Sequence, residues 1–284
     1  MDKLRRQGKG VDYVSICSPN YLHDSHIRFA LRQGAHAISE KPLVLNPWNL
    51  DALANLEKET GKRVYTILQL RLHPAIQQLK QEIDASKGKH FEVELKYITS
   101  RGNWYQRSWK GDESKSGGVV TNIGIHFFDM LLWIFGAVVQ SKLIEIDDDH
   151  ASGILELQKA TVKWFLSINS DHLPEEARAK GKRTHRSLEI EGKAVEFSDG
   201  FTELHTKCYE HILAGRGFEN VVLLVLPFEK KIDYPEQIPC LSRTHRSSFY
   251  YKTHKNTRGN HQILWVQLRE VLQRTLMLSS LCSS

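Results

Sequence analysis

The feature that most constrains the fold is a strand–helix–strand pattern near the start of the chain. Residues 11–18 form an apolar run that ends in the turn Ser18-Pro19-Asn20. Residues 21–33 have the periodicity of a helix, and Gly34 is placed to end it. A second apolar run then leads to Lys41. Strand, helix and strand in this order predict one βαβ unit, whose two strands lie parallel.

The segment Ile38-Ser39-Glu40-Lys41-Pro42-Leu43 contains the end of the second predicted strand. Because Pro42 fixes its own φ and favours an extended residue before it, Lys41 is held in one direction at the strand end. Ligands bind at this carboxyl edge of parallel sheets. A lysine chosen at random would be an ordinary surface residue, and the motifs that accompany Lys41 are what favour a functional role.

The phosphate-binding pattern of dinucleotide-binding domains is absent. Such a domain carries Gly-x-Gly-x-x-Gly on its first strand-to-helix turn, with an acidic ribose-binding residue about 20 residues later. Gly8 and Gly10 supply two glycines, but Tyr13 stands in the third position, and the segment precedes a strand where it should follow one. We therefore expect that the first two or three strands of a Rossmann domain are missing from this chain.

The remaining pattern predicts an α/β protein: an incomplete parallel Rossmann sheet, followed by an α+β domain on a large open, mostly antiparallel sheet. We place the domains at residues 1–72, 73–218 and 219–284, with a hinge at residues 71–74. The predicted helices are residues 46–60, with Asn46 as its cap, 74–86 and 202–214; the predicted strands are residues 62–70, 91–99, 153–158 and 160–170, with a hairpin 187–198 turning on Gly192. Residues 174–186 read as a linker or solvated loop.

Two segments of the second domain combine polar side chains with a possible cavity. Residues 101–110 hold three aromatic and three cationic side chains, among them Arg101, Tyr105 and Lys110. This segment could be an irregular surface loop or a site for an anionic, ring-bearing ligand. Asn122 and His126, four residues apart, are predicted to share the first turn of a buried helix after Gly117-Gly118. His126 could equally be a satisfied core residue.

The bulk composition limits the partners. The formal charge of +6 and isoelectric point near 9.0 would suit a polyanion, but no basic helix with interleaved aromatic residues is present, so we expect no nucleic-acid partner. The four cysteines lie far apart without a Cys-x-x-Cys pair, which argues against a structural metal site and fits a reducing cytoplasm. No run approaches the roughly 18 apolar residues of a membrane span, so we expect a soluble protein with no membrane partner.

The character of the chain changes after Phe218. Residues 219–284 contain one glycine, whereas the preceding 218 residues contain seventeen, and amphipathic order becomes hard to find. This break favours a tail that is read in a shifted frame or otherwise replaced. A genuine divergent tail is the alternative.

Several motifs together point to one family. They are Ser18-Pro19-Asn20 with His23, Glu40-Lys41-Pro42, residues 69–74, Gly117-Gly118, and residues 122–130 with His126. In their order and spacing they resemble the Gfo/Idh/MocA family of NAD(P)-dependent sugar dehydrogenases, which includes glucose-fructose oxidoreductase and inositol dehydrogenase. The resemblance covers roughly residues 11–218 and is greatest to bacterial UDP-N-acetyl-2-amino-2-deoxyglucuronate dehydrogenases.

The resemblance implies an oxidoreductase that uses NAD, with NADP not excluded, to oxidise the 3-hydroxyl of a nucleotide-linked N-acetylated uronic acid. It implies Lys41 as the general base and His126 as its partner in proton transfer or substrate orientation. The implied cofactor contacts are Ser18, Pro19, Asn20, His23 and Glu40, and the implied substrate contacts are Arg101, Tyr105, Lys110 and Asn122. Many relatives have aspartate in place of Asn122. The Asn122 amide can position a substrate, but unlike a carboxylate it cannot act as an acid or base.

Two functional hypotheses remain open. In one, the chain is an active dehydrogenase, with the missing strands supplied by a separate polypeptide. In the other, it is a catalytically inactive remnant that acts at most as a folding or oligomerisation module. The absent glycines favour low NAD affinity, because no helix N-terminus would hold the pyrophosphate. In either case we expect a homo-oligomer through the second-domain sheet, since flat apolar sheets often associate.

Overall fold

The computed structural model describes most of the chain up to residue 218. The described residues are 6–8, 10–195, 197 and 203–218, together with the backbone of two strands, Lys252–Lys255 and His261–Leu264, that pair antiparallel with each other. The predicted composition break, and the shifted-frame hypothesis for the tail, concern residues that lie almost entirely outside this part of the chain. The domain boundaries given above stay predictions.

The predicted βαβ unit is confirmed. Strand β1 (Tyr13–Ile16), helix α1 (His23–Arg32) and strand β2 (His36–Ser39) follow one another, and β1 pairs with β2 in parallel. Helix α2 (Trp48–Thr60) then leads to β3 (Val64–Thr66), which pairs in parallel with β2. The first sheet therefore has the order β1-β2-β3, and its carboxyl edge carries the segments that follow β1 and β2.

Local chemistry sets the ends of α2. The Asn46 side-chain oxygen accepts a hydrogen bond from the Trp48 N–H at 3.2 Å, but the helix begins at Trp48, so Pro47 occupies the cap position that was predicted for Asn46. The helix ends at Gly61, whose φ of 66° is left-handed and favours glycine. Strand β3 is shorter than predicted because residues 69–72 form a 3₁₀ turn.

The second sheet has six strands and is mostly antiparallel, as predicted. The strands are β4 (Phe91–Thr99), β5 (Val138–Ile146), β6 (His150–Leu157), β7 (Ala160–Ser167), β8 (Thr184–Ile190) and β9 (Lys193–Ala194); the helices after α2 are α3 (Pro74–Ala85), α4 (Asn103–Arg107), α5 (Glu113–Ser116), α6 (Gly118–Asn122), α7 (Ile125–Phe135), α8 (Glu175–Ala179) and α9 (Leu204–Leu213). The strand order is β5-β6-β7-β4-β8-β9, and in this sheet β4 and β7 pair in parallel while the other neighbours are antiparallel.

The main core lies between this sheet and helices α3 and α7. Alternate residues of β4 face the helices, so Phe91, Val93 and Leu95 are buried while Glu92 is exposed. Residues spaced at helical intervals on α3 pack against them. Helix α7 is buried on most of its surface, as predicted, because it fills the space between the sheet and α3. The chemistry-bearing residues lie where this core meets the first sheet.

Three segments differ from prediction. Residues 101–110 form α4 and a 3₁₀ turn where an irregular loop was expected, and residues 174–186 contain α8 and the start of β8. Pairing with β4 along its whole length accounts for the polar start of β8. Strand β5 was not predicted, since two register irregularities break its apolar alternation. The hairpin on Gly192 is confirmed, with positive φ at both Glu191 and Gly192.

The helix predicted to begin near Asn122 is two helices. Helix α6 ends at Asn122 and α7 begins at Ile125, so Asn122 and His126 do not share one first turn as predicted. At the break, a Cβ on Gly124 would lie 2.5 Å from the Val120 carbonyl oxygen, which leaves room for glycine alone. No single helix in the described residues is long and apolar enough to cross a membrane; residues 113–122 and 125–135, bent by 43°, pass that test as a pair by length and composition.

Candidate active site

The Lys41 amine lies at the carboxyl edge of the first sheet, against α6. Its Nζ donates a hydrogen bond to the Asn122 backbone carbonyl at 2.6 Å. Burial lowers the pKa of this amine to about 8; the Glu40 carboxylate opposes the shift, and the positive charges of Lys110 and Arg101 add to it. Near neutral pH a useful fraction of the amine is therefore uncharged, and an uncharged amine can accept a proton.

A chain of hydrogen bonds joins the loop after β1 to helices α6 and α4. The Asn20 amide donates to the Ser116 carbonyl at 2.9 Å and to Asn122 Oδ1 at 3.2 Å. The Asn122 amide donates in turn to the Tyr105 hydroxyl at 2.8 Å. Asn20, Asn122 and Tyr105 are all buried, and burial raises the pKa of the Tyr105 phenol, which therefore keeps its proton. These bonds hold the Asn122 side chain in one orientation beside Lys41.

His126 is the second residue of α7 and is half-buried. Loss of solvation lowers the pKa of its imidazole well below the ordinary value, and the positive charges of Lys41, His205 and Arg186 act in the same direction. The ring is therefore neutral at neutral pH. Its Nδ1 is enclosed and has no hydrogen-bond partner among the described residues. A neutral imidazole can donate one hydrogen bond and accept another.

His23, predicted to contact a cofactor, makes two hydrogen-bond contacts within the protein. Its side chain is fully buried, with Nδ1 2.7 Å from the Pro42 carbonyl oxygen and Nε2 2.8 Å from the Ser18 carbonyl oxygen. Both ring nitrogens thus lie against backbone carbonyl oxygens, and a contact of His23 with a cofactor stays a prediction. His23 thus ties the loop after β1 to the segment that carries Lys41.

Ser18, Pro19 and Glu40 lie at the same edge and remain partly exposed. The Ser18 hydroxyl is 2.9 Å from Nδ1 of His26, and Glu40 Oε1 is 3.1 Å from Nε2 of His205. Pro19 supplies the carbonyl that accepts the first bond of the 3₁₀ turn leading into α1. Asn20, in contrast, is held by the second domain as described above. Contacts of these residues with a cofactor stay predictions.

Segment 101–110 brings positive charge and aromatic rings to the site. Lys110 Nζ lies 5.4 Å from the ring centroid of Trp104 and 5.6 Å from that of Trp109. An open cavity of about 200 Å³ adjoins the segment; its lining includes Arg101, Tyr105, Gln106, Asp149, Asn169 and Ser170. Arg101 and Lys110 both act on the Lys41 pKa, which places their charges near the amine. An anion that also carries a ring would meet both kinds of contact here.

Sequence reasoning missed other side chains near the site. Arg71, predicted as a hinge residue, forms a bidentate ion pair with the buried Asp129, with Nε to Oδ2 at 2.8 Å. Asp129 follows His126 by three residues on the same helix, a spacing that could have signalled a shared face. His205 and Arg186 carry no comparable local signal, because their partners are distant in sequence: His205 follows Glu40 by 165 positions.

Comparison with known proteins identifies the family. Residues 1–68 match the model "Oxidoreductase family, NAD-binding Rossmann fold", and residues 87–171 match "Oxidoreductase family, C-terminal alpha/beta domain". The WlbA (WbpB) dehydrogenase from Thermus thermophilus, solved in complex with NAD and alpha-ketoglutarate, is 53% identical with a TM-score of 0.74; the match covers 77% of this chain and 70% of that one. The chain belongs to the Gfo/Idh/MocA oxidoreductase family.

Further similar structures and proteins give a wider comparison. The same Thermus dehydrogenase has been solved with NAD and UDP-GlcNAcA, at 52% identity over the same shares of the two chains and with the same TM-score. The D-glucoside 3-dehydrogenase of Escherichia coli (strain K12) is 27% identical over 44% of this chain and 36% of that protein. The inositol 2-dehydrogenase of Rhizobium meliloti (strain 1021) is 28% identical over 56% and 50%. The chain thus spans about a third to a half of these curated relatives.

Proposed function

We propose that this chain is an NAD-dependent dehydrogenase that oxidises the 3-hydroxyl of a nucleotide-linked N-acetylated uronic acid. The observation that carries the proposal is the place of Lys41 at the carboxyl edge of the first sheet, where its Nζ donates to the Asn122 carbonyl at 2.6 Å and burial lowers the pKa of the amine to about 8. The likeness to the Thermus dehydrogenase, which was solved with NAD and UDP-GlcNAcA, supports the substrate class.

Lys41 acts as the general base. Its neutral Nζ takes the proton of the sugar hydroxyl and becomes an ammonium, while the carbon loses its hydrogen as hydride and becomes a ketone. The Asn122 carbonyl, 2.6 Å from Nζ, stabilises the ammonium that forms and holds the amine in place. Glu40, whose charge favours the protonated amine, acts in the same direction as the reaction proceeds.

His126 and Asn122 orient the hydroxyl. A neutral imidazole can accept a hydrogen bond from the substrate or donate one, and it adds no positive charge that would hinder proton uptake by Lys41. Hydrogen bonds with Asn20 and Tyr105 fix the orientation of the Asn122 amide relative to the sugar. Positioning of this kind lowers the barrier by fixing the reacting atoms before the proton moves.

The described residues fit one end of NAD. The His126 ring, whose Nδ1 has no hydrogen-bond partner among the described residues, and the Lys41 amine, whose pKa is lowered, lie near the carboxyl edge of a parallel sheet. This edge is where ligands bind in such folds. Glu40 and Ser18 would hold the nicotinamide ribose side. NAD, when bound, accepts the hydride. The sequence contains no Gly-x-Gly-x-x-Gly, the pattern that places a helix N-terminus against the pyrophosphate of NAD.

We also propose a second candidate function, an inactive module that folds and associates without turning over a sugar. We propose that association takes place in the cytoplasm and uses the second sheet. The face of β4 that points away from the helices carries Glu92, Glu94 and Lys96, so self-association there would pair opposite charges more than apolar surfaces.

A fluorescence titration of the purified chain with NADH separates the two functions. The dehydrogenase proposal predicts saturable NADH binding. The variant Lys41→Ala should keep this binding, because the amine accepts the substrate proton and contributes little to holding the cofactor. No saturation at millimolar NADH would contradict the proposal for this chain and favour the inactive module.

A further inference from the structure

The open cavity of about 200 Å³ beside segment 101–110 lies at the ends of two neighbouring strands of the second sheet. Strands β4 and β7 run parallel, with Ile98 opposite Ser167, so both end at the same edge. Backbone hydrogen bonds join the segments beyond them: the Arg101 N–H donates to the Ile168 carbonyl at 3.0 Å, and the Ile168 N–H donates to the Asp149 carbonyl at 2.8 Å. The walls of the cavity are therefore fixed relative to one another.

The carboxylate of Asp149 lines this cavity and is held in one orientation. Its Oδ1 accepts from Nδ1 of His150 at 2.6 Å, and its Oδ2 accepts from the Asn169 amide at 2.9 Å. Burial works against the negative charge, but these hydrogen bonds outweigh burial and hold the pKa of this carboxyl below its usual range. A carboxylate oxygen can accept more than one hydrogen bond, so Asp149 presents a preformed acceptor to a ligand in the cavity.

Arg101 brings a positive charge to the same cavity. Within the described part of the chain Arg101 forms no ion pair, although the Asp149 carboxylate lines the same cavity. A guanidinium and a carboxylate that share a cavity without pairing with each other suit a ligand that carries both an anionic group and hydrogen-bond donors. The arrangement therefore favours a ligand with both kinds of group over a simple anion.

Tyr105 connects this cavity to the candidate active site. Its side chain lines the cavity, and its hydroxyl accepts the hydrogen bond from the Asn122 amide at 2.8 Å. The backbone carbonyl of Asn122 accepts in turn from the Lys41 amine. The charge of Arg101 acts on both the Tyr105 phenol and the Lys41 amine. A substrate whose sugar hydroxyl meets Lys41 can therefore extend its other end toward the cavity.

We propose that this cavity binds the ribose phosphate of the nucleotide part of the substrate, with Asp149 accepting from the ribose hydroxyls and Arg101 pairing with a phosphate. This inference rests on the proposed function. A guanidinium matches phosphate oxygens in parallel hydrogen bonds, and carboxylates accept ribose hydroxyls in dinucleotide-binding domains. NAD also carries ribose phosphates, but the cavity walls come from the second sheet and segment 101–110, whereas the candidate cofactor contacts lie at the edge of the first sheet.

The test of the ribose contact is isothermal titration calorimetry of the full chain with UDP and 2′-deoxy-UDP. The wild-type protein should bind UDP about tenfold more tightly, because 2′-deoxy-UDP lacks a donor to the carboxylate. Asp149→Asn should reduce this preference to within about twofold. Asp148→Asn is the matched control, since this neighbouring carboxylate is exposed and does not line the cavity, and it should keep the full preference.

The phosphate contact is tested with UDP and uridine. Arg101→Gln should weaken UDP binding about tenfold and leave uridine binding within about twofold of wild type, because uridine carries no phosphate. Arg107→Gln has the same change in net charge and alters an exposed arginine that does not line the cavity, so it should change neither affinity. Thermal unfolding shows whether each variant is folded, and the wild-type preference for UDP tests the ribose contact without any variant.

Two results contradict the assignment of the cavity while UDP-GlcNAcA binding still supports the proposed function. One is equal affinity of the wild-type protein for UDP and 2′-deoxy-UDP. The other is displacement of UDP by excess NADH, which would assign the cavity to a ribose phosphate of the cofactor. Failure of the wild-type protein to bind either UDP or UDP-GlcNAcA overturns the proposed function itself, and with it this inference.

Discussion

Replacement of Lys41 by alanine should lower the rate of sugar oxidation by about a thousandfold, within the range expected when a general base is removed. NADH binding should change little, because the lost amine accepts the proton of the substrate and does not hold the cofactor. His126 is a poor substitute base, because its pKa is already well below its ordinary value, and Asn122 does not titrate. Steady-state kinetics of the two proteins, with the NADH titration as the control for folding, measure the effect.

The pH dependence of kcat/KM is a second test of the role of Lys41. In the wild-type protein kcat/KM should rise as pH increases through about 8, because the pKa of Lys41 is about 8 and only its neutral form accepts a proton. Lys110→Ala removes a positive charge that lowers this pKa, so its inflection should move to higher pH. A residual Lys41→Ala activity with the wild-type inflection would assign the titration to another group and contradict the role of Lys41.

Replacement of Arg71 by methionine should destabilise the protein by about 3 kcal/mol or more, the usual cost of removing one partner from a buried ion pair. The Asp129 carboxylate is 5% exposed and would lose its bidentate partner. Burial already raises the pKa of Asp129, and Arg71 opposes that shift. Urea unfolding of the two proteins gives the difference in the free energy of unfolding.

The pH dependence of this loss has a definite sign. Without Arg71 the folded-state pKa of Asp129 rises further, so the folded protein binds a proton that the unfolded chain releases above about pH 4. The destabilisation should therefore be largest at neutral pH and smaller under mildly acidic conditions. Arg28→Met, which breaks the more exposed pair with Asp24 on α1, is the control and should cost less than about 1 kcal/mol. Equal losses in the two variants would show that the Arg71–Asp129 pair contributes no more than a surface pair.

The parts of the site that sequence could predict are those with local signals. An apolar run followed by Glu40, Lys41 and Pro42 marks the end of a parallel strand whatever the rest of the chain does. Asn122 and His126 were predicted to share one helical turn but lie on two helices, and the break falls at Gly124, where a Cβ would also lie 2.6 Å from the distant Leu166 side chain. The same holds for β8, whose polar start is a strand only because β4 pairs with it.

Long-range contacts explain what sequence could not supply. His23 looks like a ligand beside Ser18-Pro19-Asn20, yet the Pro42 carbonyl, nineteen residues away, occupies one of its nitrogens. Arg71 and Asp129 are 58 residues apart and neither has a local pattern that names the other. Arg186 lies in a polar stretch that reads as solvated loop, and only the strand register places it opposite Tyr97 in the second sheet.

The most direct test of the account mixes the purified chain with NAD and UDP-GlcNAcA and follows NADH by its near-ultraviolet absorbance, with mass spectrometry of the sugar. The account predicts that NADH accumulates, that one sugar molecule loses two hydrogens for each NADH formed, and that Lys41→Ala produces neither at a comparable rate. A chain that binds both NADH and UDP-GlcNAcA yet forms no NADH would contradict the assignment of this site to sugar oxidation.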